Sequence, residues 1–157
     1  MAATTVDGVV GVQALVGEHL GFSDWVTVTQ EQVDAFAEAT GDHQWIHVDV
    51  ERARAESPFG GPVAHGYLTL SLIPSLVPQI LEVTGFRMGV NYGTDRVRFP
   101  SPVPVGSRLR ASAVLDEATL VDGGVHLVMT VTMEVEGAEK PCLVATCLLY
   151  TSPSPRD

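Results

Sequence analysis

The run Tyr67–Leu81, YLTLSLIPSLVPQIL, constrains the fold of this chain more than any other segment. It is apolar nearly all round, and a helix without a polar face must be buried on most sides. Pro74 and Pro78 interrupt it. Each would cost about 3 kcal/mol inside a regular helix, so the spacing predicts a kink or an end near Ile73. The loop Gly60-Gly61-Pro62 leads into the run. Whatever covers such a helix must be a curved apolar surface.

The second half of the chain supplies that surface. Beyond Gly85 the hydrophobic period changes to two, and strands are expected at 86–99, 107–117, 124–136 and 141–149. Val125, Leu127, Met129, Val131, Met133 and Val135 form one continuous apolar face. Asp122-Gly123-Gly124 and the segment 136–139 read as hairpin turns, and an early strand near 22–28 can join the same sheet. Upstream, Thr29-Gln30-Glu31-Gln32 fits a capping box, with Thr29 bonding forward and Gln32 back. It opens a helix over 30–40 that carries Val33, Phe36, Ala37 and Thr40 at helical spacing and stops at Gly41. A further helical turn is expected at 50–56, and residues 1–9 are expected to be mobile. Helices followed by a run of antiparallel strands make an α+β pattern rather than βαβ. The economical packing is a curved antiparallel sheet wrapped around the apolar helix, the hot-dog fold.

Composition narrows the functional classes. The 157 residues are enough for one ordinary domain. No apolar run reaches the roughly 18 residues of a membrane span, so no membrane association is expected. No basic leader precedes the apolar patch of the first twenty-one residues, and Cys142 and Cys147 cannot build a disulfide framework; a reducing cytoplasm is expected. The formal net charge of -10 argues against nucleic acid, whose binding rests on neutralising phosphates. The segment 147–157, CLLYTSPSPRD, looks like the translation of a sequencing-library adapter, so one domain over 1–146 with a non-native tail is expected.

The charge is unevenly spread. Residues 1–60 hold ten carboxylates against two arginines, whereas Arg87, Arg96, Arg98, Arg108 and Arg110 stand against Asp95 alone. Arg96 with Arg98, and Arg108 with Arg110, share a side of a period-two element, which makes either a solvated strand face or a local site for an anionic ligand.

The densest polar cluster is Thr40-Gly41-Asp42-His43-Gln44-Trp45-Ile46-His47-Val48-Asp49, directly after a helix stop. Asp42 and His47 can converge on one water, the carboxylate accepting a proton and the imidazole donating or orienting. Partial burial beside Trp45 and Ile46 would raise the Asp42 pKa. The structural alternative makes Asp42 a cap and His47 a half-buried, satisfied side chain. A metal reading would use His43 and His47 with Asp42, Asp49 and His65, but Gln44 stands where a zinc protease carries Glu, and no metal is expected. The second constellation is Ala64-His65-Gly66 at the head of the apolar helix, where the Gly66 amide can hold a developing oxyanion. Cys142 reads as a small apolar filler.

ATGDHQWIHVD, followed by GPVAHGYLTLSL and later by NYGTDRVRFPSPVPVGSRLR, resembles the MaoC-like dehydratase and (R)-specific enoyl-CoA hydratase family, closest to its nodulation protein N-like branch. Many members carry Asn-Pro where this chain has Gln44-Trp45. The resemblance implies a hot-dog homodimer with acyl-CoA along the subunit interface. It implies reversible syn-addition of water to a trans-2-enoyl thioester to give the (R)-3-hydroxyacyl thioester. Asp42 and His47 match the catalytic pair, and Gly66 matches the amide that polarises the thioester carbonyl. His65 and the arginines Arg87, Arg96, Arg98, Arg108 and Arg110 are expected to bind substrate, the arginines through CoA phosphates. No cofactor is implied beyond the CoA of the substrate. Two other functions share the fold: an acyl-CoA thioesterase, and a non-catalytic acyl-thioester-binding partner subunit.

Overall fold

The computed structural model describes residues 3–152. The chain enters as strand β1 (Thr4–Asp7) and helix α1 (Gly8–Gln13), then forms the short strands β2 (His19–Phe22) and β3 (Val26–Thr27). The part of 1–9 expected to be mobile is therefore ordered from Thr4. Its β1 pairs in parallel with β4 (Leu81–Thr84), Thr4 opposite Leu81, as a separate two-stranded sheet. The early strand breaks in two because the Ser23 hydroxyl accepts the Ala111 N–H, 2.9 Å, in place of a ladder carbonyl.

Helices α2 (Gln30–Thr40), α3 (Trp45–Val48) and α4 (Val50–Glu56) follow. The Thr29 hydroxyl accepts the Gln32 N–H at 3.1 Å, the forward arm of the expected box. Gly41 closes α2 in the left-handed region at φ 83°, where a side chain would be strained. That stop turns the backbone sharply and throws Asp42 out of the helix.

The apolar run is not one helix. It is divided into α5 (Gly66–Ser71), α6 (Ile73–Leu76) and a single 3-10 turn at Val77–Gln79, and Leu81 then begins β4. Pro74 lies in the first turn of α6 and Pro78 in that of the 3-10 turn, where a missing N–H forfeits no bond. The prolines thus re-start the helix twice rather than bending it. Burial is also less complete than an all-apolar helix requires. Leu68, Leu76 and Ile80 are buried, but Tyr67 is 71% exposed in the single chain.

The main sheet is antiparallel, six-stranded, and ordered β2-β6-β7-β8-β5 with β3 also on β6. Its long strands are β5 (Met88–Arg98), β6 (Arg108–Val121), β7 (Gly124–Val135) and β8 (Leu143–Ser152). β6 runs four residues past the expected 117 because a bulge at Leu115/Glu117 restores the pairing with β7. The alternation is as the period demands: Leu109, Ala111, Ala113 and Leu115 on β6, and the six apolar residues from Val125 to Val135 on β7, all face the core. Each fully buried Leu, Val or Met stabilises the fold by about 1.5–3 kcal/mol relative to exposure. Cys147, within the segment expected to be non-native, is buried and pairs opposite Met129, and β8 continues to Ser152. The last Pro/Ser residues, 153–157, lie outside the described residues, as do residues 1 and 2. No helix among the described residues is long and apolar enough to cross a membrane.

Candidate active site

Three segments meet over the head of α5: the loop after α2, the turn α3, and the strap from Val63 to Gly66. α3 is fixed from two sides. Gln30 of α2 donates its side-chain N–H to the His47 carbonyl at 2.8 Å, and Val63 N–H donates to the Ile46 carbonyl at 3.0 Å. The result buries the His47 ring, which is 7% exposed.

His47 Nδ1 lies 2.6 Å from the Val63 carbonyl. A carbonyl only accepts, so Nδ1 carries the proton and Nε2 of the neutral ring is a bare acceptor. Burial holds the His47 pKa below its ordinary value, and His65 adds to that, while the Val63 carbonyl and Asp42 pull the other way. The ring is therefore neutral at pH 7. His65 is 2% exposed, stacks on His47 with ring centroids 3.9 Å apart, and reaches the Asp42 carbonyl with Nε2 at 3.0 Å. A carboxylate oxygen of Asp42 and one ring nitrogen each of His47 and His65 lie within 4.8 Å of one another.

This is the convergence expected of Asp42 and His47. It is also a donor set of the size that can hold a metal ion. The other residues of the metal reading are elsewhere: His43 sits 3.7 Å from Glu38, and Asp49 caps α4 by accepting the Arg52 N–H. The burial expected for Asp42 is absent in the single chain. Its side chain is exposed, and Oδ1 accepts the Gln44 N–H at 3.3 Å. Trp45 turns away to stack under Arg52, whose guanidinium carbon is 4.1 Å from the ring centroid.

Gly66 is the first residue of α5, so its N–H has no acceptor inside the helix. A side chain there would meet the Phe99 ring at 3.2 Å. Phe99 closes one wall of an apolar cavity of about 330 Å³ whose lining includes Ile46, Phe59, Val63, Gly66 and Thr69. Sequence reasoning missed Phe59 and Phe99 as site residues. The signal was available for Phe99, a large aromatic between a strand and the Pro100-Ser101-Pro102 exit.

The arginines separate into two groups. Arg108 pairs with Glu136, and Arg110 with Glu134 at 2.5 Å; Arg110 also lies over Phe22 and Trp25. They form the solvated strand face and are held by acid partners. Arg96 and Arg98 stand exposed on β5, the strand that delivers Phe99 to the cavity, and Arg87 lines a separate groove with Val77 and Met88. Cys142 is buried, and burial lifts its thiol pKa to about 11, so it is a packed filler and not a thiolate at neutral pH.

A curved antiparallel sheet enclosing a short apolar helix is the hot-dog architecture. Residues 11–137 match the family described as MaoC like domain, and the chain belongs to the MaoC-like dehydratases, a hydro-lyase family. Among curated relatives it is 51% identical over 146 residues to 3-hydroxyacyl-thioester dehydratase Z of Mycobacterium tuberculosis, covering 92% of this chain and 96% of that one. It is 49% identical over 152 residues to Nodulation protein N of Rhizobium leguminosarum bv. viciae, covering 93% and 92%. Among solved structures, the monoamine oxidase regulatory protein of Archaeoglobus superposes with TM-score 0.78 at 25% identity, covering 99% and 100%. The (R)-hydratase of A. caviae does so with TM-score 0.69 at 21% identity, covering 88% and 96%, a likeness of fold.

Proposed function

We propose that this chain is an (R)-specific enoyl-CoA hydratase/dehydratase, adding water reversibly and syn to a trans-2-enoyl thioester to give the (R)-3-hydroxyacyl thioester. The observation that carries the reading is the approach of the Asp42 carboxylate and the His47 ring to within 4.8 Å, beside the free amide of Gly66. A water between them donates one hydrogen bond to the carboxylate and the other to the bare Nε2 of His47. The Gly66 N–H polarises the thioester carbonyl and makes the β-carbon electrophilic. Oxygen bonds to that carbon as the water's proton passes to Asp42. The proton reaches the α-carbon by way of His47 Nε2, so both groups end as they began. The apolar cavity beside Gly66 gives the hydrocarbon end of the substrate its wall. No metal or redox group has a step in this scheme.

The active unit is proposed to be a cytoplasmic homodimer with the acyl-CoA along its interface. In support, β5 is an open sheet edge carrying Met88, Val90 and Tyr92 exposed. We assign the CoA phosphates to Arg87, Arg96 and Arg98, since Arg108 and Arg110 already hold glutamates. The test is hydration of crotonyl-CoA, followed by loss of enoyl-thioester absorbance. Asp42→Asn and His47→Gln should each lower kcat by about 10²–10⁴-fold. Release of free CoA thiol without hydration would replace this reading by a thioesterase, and activity untouched by both substitutions would remove it.

A further inference from the structure

His65 sits inside the site without a part in the reaction as written. It joins the two groups that have one. Its Nε2 faces the Asp42 carbonyl across 23 residues of sequence, and because a carbonyl only accepts, Nε2 carries the proton and donates. Its ring stacks on His47 at an interplanar angle of 25° and meets Phe36 at 4.9 Å. The remaining nitrogen, Nδ1, is buried with no hydrogen-bond partner. An apolar ring would fill the same space without leaving a polar atom unpaired, which costs about 1–3 kcal/mol. The fold bears that cost at a side chain that links Asp42 to His47.

We propose, resting on the hydratase reading, that His65 is the positioning residue of the pair: its Nε2–H anchors the Asp42 backbone and its ring fixes the plane of His47. The anchor is needed because Asp42 lies exposed on the loop after Gly41, where its own side chain is held by a single 3.3 Å bond from Gln44 N–H. The stack is needed because His47 is pinned at Nδ1 alone and would otherwise rotate about that bond. His65 also helps hold the His47 pKa down, which keeps Nε2 open to accept. The titratable groups facing His47 are Asp42, from the loop after α2, and His65, from the strap before α5. Asp34 of α2 reaches it through Gln30, which binds both the Asp34 carboxylate and the His47 carbonyl.

Two complementary variants test this. His65→Gln keeps an N–H donor and removes the ring, while His65→Phe keeps a ring and removes the donor. Each should lower kcat for crotonyl-CoA about ten- to a hundredfold, the scale of a small misplacement of catalytic groups, with KM within about threefold. In His65→Phe the acid limb of kcat/KM should move to higher pH, because the electrostatic influence of His65 that helps hold the His47 pKa down is lost. Unchanged kcat in both variants overturns the proposal, and so does a raised KM with kcat intact, which would make His65 a substrate contact. Titration of the His47 ring resonances by NMR, without substrate, separates this result from the hydratase reading itself. If the wild type proves inactive, an upward shift of that titration in His65→Phe upholds the positioning role, and an unmoved one overturns it. Should either variant fail to fold, the other carries both measurements.

Discussion

In the proposed reaction, His47 ties the chemistry to the stability of the protein. Burial holds its folded pKa below the unfolded value of about 6.5, so the unfolded chain binds the extra proton more readily. The sign follows: stability is undiminished above the unfolded pKa and falls as pH drops below it, until the folded pKa is passed. The melting temperature of the wild type should therefore fall between pH 7 and 5 more steeply than that of His47→Gln, measured by calorimetry at matched ionic strength. Gly66 makes a steric prediction instead. A Cβ there meets the Phe99 ring at 3.2 Å, and the ring is the far end of a movable side chain. Gly66→Ala should reduce kcat by displacing Phe99 across the amide, and adding Phe99→Ala should recover part of the loss. A double variant no better than Gly66→Ala would show that the methyl blocks the substrate directly.

At the scale of the elements, the site depends on how sharply each one ends. α2 stops in one residue because Gly41 takes a φ of 83°, and this places Asp42 at the mouth. Gly41→Ala should destabilise the fold by about 1 kcal/mol through left-handed strain and should lower kcat more than it lowers the melting midpoint. These ends were legible in the sequence: Thr29, Gly41 and the Gly-Asp spacing are local signals that need no partner. The strands were legible for a similar reason, since the alternation from Val125 to Val135 states which face is buried. The division of the apolar run was only half legible. Pro74 and Pro78 announce a break, but that each would open a new turn depends on where the sheet lets the chain re-start. Contacts across long separations were not legible at all. Nothing near His65 points to Asp42, 23 residues away, and nothing near Arg110 points to Glu134, which a cross-strand register brings opposite.

Charge is best weighed over the whole molecule. A protein with a formal net charge of -10 repels the phosphates of CoA unless a local group of cations overrides its field. Charge reversal at Arg96 or Arg98 should raise KM for CoA thioesters, and the effect should shrink as salt screens it. Reversal at Arg108 or Arg110 should leave KM near the wild-type value and reduce stability, because it sets like charges opposite Glu136 and Glu134. Equal KM shifts at all four positions would reject the division. The small parallel sheet bears on the molecule in another way. Pairing Thr4 with Leu81 closes a loop of some 77 residues for four residues of strand, whereas β6 and β7 meet across one tight turn. Loop closure on that scale is repaid only after the main sheet exists, so the β1–β4 pair forms last and opens first. Because β4 is the continuation of the apolar run, its opening loosens the exit of that run. Amide exchange should therefore register β1 and β4 as one cooperative unit, opening well below the global unfolding energy that protects β6 and β7.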